Sequence, residues 1–256
     1  MLKEGKYIYC VIDTNQDRYF GPIGVGDRSD EVLTIGYDDL SMVVSNHPLT
    51  EIEVNRENMI AHEKVIEKVM EEFDSVLPVR FGTIASNADE IRNLLDRRYR
   101  EFKNLLRDIN HKIELDVKGL WKNMDAVFDE IIEENKEIKK AKEKIRNMGQ
   151  NINVRSKIEI GKLVDEALQK KKEKETQCIS DVLQKVYVDL TRNKTVSDEM
   201  FMNAAFLVDR GREKEFDNIM DDLNEEYKDR VKFKYTGPLP VFNFTNIVIY
   251  PETWEK

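Results

Sequence analysis

The chain opens on a short apolar run, YIYCVID at 7–13, which predicts a strand. The stretch RYFGPIGVGDRSD (18–30) is punctuated by glycine and predicts turns with a small strand or hairpin. VLTIGYDDLSMVVSN (32–46) predicts two strands around a turn at Tyr37–Asp39. After Pro48 the period changes. Met59, His62, Ile66, Val69 and Phe73 fall three and four residues apart, which predicts a helix over 55–73 with one apolar stripe. SVLPVRFGTI (75–84) then reads as a strand, with Leu77, Val79, Phe81 and Thr83 on one face. Its other face gathers Pro78, Arg80 and Gly82 between Val76 and Ile84. A second amphipathic helix is predicted over 87–112, with Asn87 as N-cap and Glu90 completing a capping box. IELDVKGLWK (113–122) alternates again and predicts a strand.

From Met124 to about Thr195 the chain is nearly all helix former, rich in Lys and Glu. NMGQNIN (147–153) interrupts it, with Gly149 as a helix end, so the pattern predicts an antiparallel pair of arms at 124–146 and 154–192. The pair is either a hairpin packed on a sheet or a projecting arm that receives a partner helix. In the second arm Ile160, Val164 and Leu168, then Ile179, Val182, Val186 and Leu190, keep helical spacing. QKKKEKE between them reads as a solvated turn or two, and Cys178 beside the stripe as an inert, at least half-buried thiol. MFMNAAFLVDR (200–210) predicts a strand and 212–230 a helix with Phe216, Ile219, Met220, Leu223 and Tyr227 on one side. The last run starts as a strand at 231, turns at Gly237-Pro238-Leu239-Pro240, and ends apolar.

This order predicts an α+β protein of two domains. Residues 1–122 form a ferredoxin-like sheet with an extra strand and helices on one face. Residues 123–256 form the helical pair and a strand–helix–strand unit.

The net charge of −9 weighs against non-specific nucleic-acid binding, which needs a positive surface. Two distant cysteines, Cys10 and Cys178, point to a reducing cytoplasmic compartment without a disulfide framework. The first residues contain neither a signal-peptide pattern nor a membrane-spanning run. His47, His62 and His111 are scattered and support no metal site. GPIGVG lacks the GK[ST] ending of a phosphate loop, and no G-x-S-x-G or C-x-x-C occurs. No residues are therefore assigned to catalysis, a cofactor or a metal.

His62 lies on the apolar stripe of its helix. It is either a satisfied core histidine or a bridge that hydrogen-bonds to the PVRFG segment and fixes it, donating from one nitrogen and accepting at the other. Arg80 is either paired to a carboxylate or a charged anchor on an exposed sheet face.

VLPVRFGTI also resembles the signature strand of the gas vesicle protein F/L family. IAHEKVIEKVME before it, YIYCVI, DLSMVVS and IELDVKGLWK fall in the family's order, and YTGPLPVFNFTNI resembles its closing segment. In that segment Leu239 stands where an aromatic is common and Val241 where a second proline is common. The resemblance implies a modified ferredoxin-like domain followed by an α+β domain with long helices. It implies an accessory or minor structural protein of gas vesicle assembly, cytoplasmic and vesicle-associated. Its expected partners are the small hydrophobic shell protein A and other gas vesicle accessory proteins, without enzymatic activity or membrane insertion.

Pro78, Arg80, Phe81, Gly82 and His62 are then the candidate partner-binding or domain-docking residues, because proline and glycine leave Arg80 uncrowded. Two other function classes are an enzyme using an inter-domain cleft and a nucleic-acid binder stacking bases on Tyr7, Tyr9, Phe81 or Trp121. The missing catalytic constellation weighs against the first, and the acidic balance against the second.

Overall fold

The computed structural model describes residues 3–148 and 154–249, and for 144–148 and 154–156 the backbone alone. The expected helix end at Gly149 lies outside the described residues. The fold is mixed α+β. Contacts divide the chain into two units, one holding the residues up to Glu114, Asp209–Gly211 and the closing segment from Gly237, the other holding Leu115–Val208 and Arg212–Thr236. A linear division at residue 122 differs from this one at both ends.

The first unit begins with β1 (Glu4–Asp13), β2 (Tyr19–Gly21), β3 (Val32–Tyr37) and β4 (Leu40–Pro48). Then come α1 (Arg56–Met70), β5 (Val76–Pro78), β6 (Ile84–Ala85), α2 (Ala88–Arg97) and α3 (Tyr99–Asp108). The sheet runs β2-β3-β4-β1-β5, with β6 also on β1, and the recorded pairings are antiparallel. Tyr7 to Ile12 of β1 are all 0% exposed, so both faces of this central strand are covered.

A bulge between Ile8 and Cys10 switches the phase of β1. Tyr7 consequently faces His62 of α1, while Asp13 faces Lys103 of α3 (2.8 Å). Helices therefore lie on both faces, not on one as the pattern predicts. Alternation gives no warning of this, because a bulge inverts it without changing the residue types.

Asn87 caps α2 as expected, accepting from the N–H groups of Asp89 and Glu90. Glu90 reaches back to the N–H of Ser86 rather than of Asn87. The predicted single helix over 87–112 bends at Arg98 (φ −106°, ψ 17°) into α2 and α3. The i→i−4 bonds continue through the bend, Arg98 N–H to Leu94 at 3.1 Å and Phe102 N–H to Arg98 at 3.0 Å. One apolar face thus survives a change of direction, and its period shows no break.

The second unit is built from most of β7 (Lys112–Trp121), α4 (Met124–Glu134), α5 (Lys136–Met148), α6 (Val154–Leu183), β8 (Asp189–Arg192) and β9 (Met200–Asp209). A 3₁₀ turn (Arg210–Arg212), α7 (Glu213–Glu226) and β10 (Val231–Leu239) follow. Its sheet has the order β10-β7-β9-β8. The 113–122 strand therefore belongs to this second sheet, and β10 continues through Gly237-Pro238 where a turn was expected. Gly119 is required on β7, since a Cβ there would stand 2.5 Å from the ring of Phe201, which stacks on Trp121.

The first helical arm breaks at Asn135 (φ −113°, ψ 102°), whose amide donates to the Ile131 carbonyl at 2.7 Å. The second arm ends at Leu183, and the remainder of its predicted length becomes β8. Cys178 is exposed, contrary to the expected half-burial.

The polar stretch QKKKEKE is the largest departure from expectation. Lys171 and Lys172 are buried, at 9% and 5% exposure. Lys171 Nζ donates to Glu134 of α4 at 2.9 Å and pairs with Glu130 at 3.0 Å, while Lys172 Nζ donates to the Ser197 carbonyl. Glu130 also accepts from both terminal nitrogens of Arg230, which binds Glu175 at 2.7 Å, and Glu175 accepts from Trp121 Nε1 at 2.6 Å.

The bond from Arg230 holds the Glu130 carboxyl at about 2, well below its ordinary value, even though burial works the other way. The lysine stems are buried while the Lys171 ammonium meets two carboxylates of α4 and the Lys172 ammonium a backbone carbonyl. Truncating Lys171→Met leaves those carboxylates facing each other without their shared cation. It is expected to lower stability by about 1–3 kcal/mol in urea unfolding, and an unchanged midpoint would mean the cluster is dispensable.

Candidate functional site

The register against β1 shows how the 75–84 stretch is built. Cys10 stands opposite Pro78, and Tyr7 opposite Ile84. Between those pairs β1 advances by fewer residues than its partner, and the surplus forms a bulge at Arg80, Phe81 and Gly82. The Val79 N–H donates to the Tyr9 carbonyl and the Ile8 N–H to the Thr83 carbonyl, both at 2.9 Å, fixing its two ends. The expected continuous strand is thus two short strands joined by a loop.

Each awkward residue has a place in this geometry. Pro78 lies on β5 at the sheet edge, where its missing N–H costs no ladder bond. Gly82 adopts φ +83°, which favours glycine. Arg80 is exposed between them, and its carbonyl accepts from Thr83 Oγ1 at 2.6 Å.

His62 and Tyr7 hold the bulge from beneath. His62 is 3% exposed and its Nε2 lies 3.1 Å from the Val79 carbonyl oxygen. A carbonyl only accepts, so Nε2 carries the proton and Nδ1 is left to accept from the Tyr7 hydroxyl at 2.9 Å. The Tyr7 oxygen in turn accepts from the Gly82 N–H at 3.0 Å. One imidazole therefore ties α1, β1 and both sides of the bulge together. It meets one backbone group directly and a second through a phenol.

Rings pack around it: Tyr9 stacks at 5.5 Å, and Phe81 and Tyr7 meet it edge-on at 5.7 and 5.6 Å. Burial holds His62 near 4, below its ordinary range, and pushes the Tyr7 hydroxyl up.

A cavity of about 420 Å³ opens beside the bulge. Met59, His62 and Glu63 of α1 form one wall, and Pro78, Arg80 and Phe81 a second. The third wall is Phe242, Thr245, Asn246 and Ile247 of the closing segment. That segment is anchored by Glu114, which is 2% exposed and accepts from the backbone N–H of Asn243 at 2.8 Å and from its side-chain amide at 2.6 Å. Met59 and Phe242 remain 50% and 39% exposed, so the rim is apolar and wet. Among the described residues no group of His, Cys, Asp and Glu comes together to hold a metal ion, and no helix is long and apolar enough to cross a membrane.

A family model described as gas vesicle synthesis protein GvpL/GvpF matches residues 5–246. The chain belongs to the GvpL/GvpF family. It is 28% identical to gas vesicle protein F1 of Halobacterium salinarum over 98% of this chain and 97% of that one. Gas vesicle protein F of Microcystis aeruginosa is 26% identical over 76% and 79% of the two chains. The crystal structure of GvpF from Anabaena superposes with a TM-score of 0.80, covering 96% of this chain and all of that one at 22% identity, a likeness of fold.

In this GvpL/GvpF chain, His62, Pro78, Arg80 and Phe81 meet at one cavity, and Gly82 lies behind it. Met59 and Phe242 belong to the same place without being sequence candidates, and Tyr7, a candidate only as a ring for stacking bases, joins them. Tyr7 left a signal, since a phenol in an apolar strand needs a buried partner. The positions of Met59 and Phe242 around a shared cavity depend on contacts distant in sequence.

Two outcomes follow from this geometry. Gly82→Ala meets only ordinary contact, with Ile52 Cγ2 at 3.7 Å, but must keep its positive φ. It is expected to cost about 1–2 kcal/mol in urea unfolding, and no loss would mean the bulge relaxes freely.

For His62, the folded chain refuses a proton that the unfolded chain accepts below the ordinary value of 6.5, until about pH 4. Its contribution is therefore complete above that value and lost as pH falls through the interval, on the order of 3 kcal/mol. Unfolding of wild type and His62→Gln at pH 7.5 and 4.5 should show the steeper fall in wild type. Parallel loss would assign the acid sensitivity to carboxylates instead.

Proposed function

We propose that this family member works by binding rather than catalysis, as an accessory or minor structural protein of gas vesicle assembly. Its partner in this reading is the small hydrophobic shell protein, with other accessory proteins as further partners. It acts in the cytoplasm, associated with the vesicle. The observation that carries the reading is the apolar rim of Met59 and Phe242, left half-exposed around a cavity in a protein of net charge −9. Exposed apolar surface beside a formed pocket is what a binding site presents.

A shell subunit that will line a gas space exposes apolar surface before it assembles and aggregates readily. An acidic carrier with a defined apolar site can hold such a subunit without itself precipitating.

The test is co-expression with the small shell protein and co-purification against an unrelated acidic control. Met59→Asp and Phe242→Asp should each reduce recovery roughly ten-fold, the loss expected where a central contact is removed. Val196→Asp, at a position 81% exposed in the second unit, should leave recovery unchanged. Equal recovery in all three variants would remove the cavity from the interface.

A further inference from the structure

Arg80 lines the cavity, and among the described residues its guanidinium has neither a hydrogen bond nor an ion pair. Arg28, Arg92, Arg98, Arg212 and Arg230 each reach a carboxylate within 3 Å. The backbone beneath Arg80 is held on both sides, through Val79 to Tyr9 and His62 and through Gly82 to Tyr7. The side chain therefore projects from a fixed backbone point at the edge of an apolar cavity, and only its own rotamers remain to be ordered on binding.

We propose that the occupant of this cavity is an amphipathic helical segment of a partner protein that inserts apolar side chains and pairs a carboxylate with Arg80. The inference rests on the reading of the cavity as the partner site and adds the chemistry of what enters it. A small anion would pair with Arg80 but leave Met59, Phe81, Phe242 and Ile247 uncovered. A purely apolar segment would cover those walls but strip water from an unpaired guanidinium, which is costly.

One segment carrying both groups meets both demands, and a guanidinium beside an apolar wall matches a carboxylate in a two-pronged bond. The carboxylate of the segment is directed to Arg80, which sets the segment's orientation.

The experiment uses the full chain and three labelled helical peptides of about 15 residues, long enough to form several turns. They share one leucine face and differ at a single flanking position, which is Glu, Gln or Lys. Fluorescence anisotropy should rank them Glu, Gln, Lys in falling affinity, with roughly ten-fold between the extremes. Arg80→Gln, at an exposed position, should bring the Glu peptide down to the Gln peptide and leave the latter unchanged. Arg80→Glu should invert the order.

An order that ignores residue 80, or no binding by any peptide, overturns the inference. Shell-protein recovery separates this failure from that of the underlying reading. Recovery lost in Met59→Asp and Phe242→Asp but intact in Arg80→Glu keeps the cavity and discards the carboxylate. Recovery intact in all of them discards the cavity.

Discussion

A buried imidazole needs a partner for each ring nitrogen, and His62 finds them on two different segments. Its proton goes to the Val79 carbonyl and its lone pair to the Tyr7 hydroxyl. Tyr7 passes the constraint on to the Gly82 N–H. If either bond were lost, a polar atom would remain buried without a partner, at a cost comparable to several surface contacts. The bulge therefore keeps its positive φ at Gly82 and presents Arg80 outward, with the backbone tied down on both sides.

The closing segment depends on a similar device at a different place. Glu114 is a buried carboxylate whose two oxygens are taken by one residue, Asn243. Phe242 is the next residue along, and its ring lies 6.2 Å from that of His62. Two buried polar side chains thus place the two aromatic walls of the cavity, Phe81 through His62 and Phe242 through Glu114. Apolar packing alone gives no such definition, since aromatic rings at an exposed rim can settle in several ways. The hydrogen bonds select one.

What the sequence revealed follows from how local each signal is. The His62 stripe, the Asn87 cap and the Pro78-x-Arg80-Phe81-Gly82 cluster are legible because each is written within one or two turns of chain. Even there 75–84 forms a bulge between two short strands and not the expected single strand, since proline, arginine and glycine on one face describe either. Alternation along 113–122 identifies a strand but cannot say which sheet it joins. Lys171 and Lys172 look solvated because their partners, Glu130, Glu134 and the Ser197 carbonyl, lie on other elements. The bend at Arg98 is silent because an apolar period passes through it intact. Long-range pairing and the direction of an element are thus the quantities that periodicity leaves open.

Charge is used in two ways. In the second unit, cations and carboxylates satisfy one another, from Lys171 through Glu130 and Arg230 to Glu175. Such a cluster adds specificity to helix packing and offers nothing to a partner. In the first, Arg80 is held clear of every described carboxylate while apolar surface stays open beside it. The bulge fixes the backbone from which that side chain projects. A charge withheld from internal pairing next to an open apolar wall is a feature of recognition. It admits a segment that brings both groups and disfavours one that brings only one of them, including other apolar surfaces of the same acidic chain.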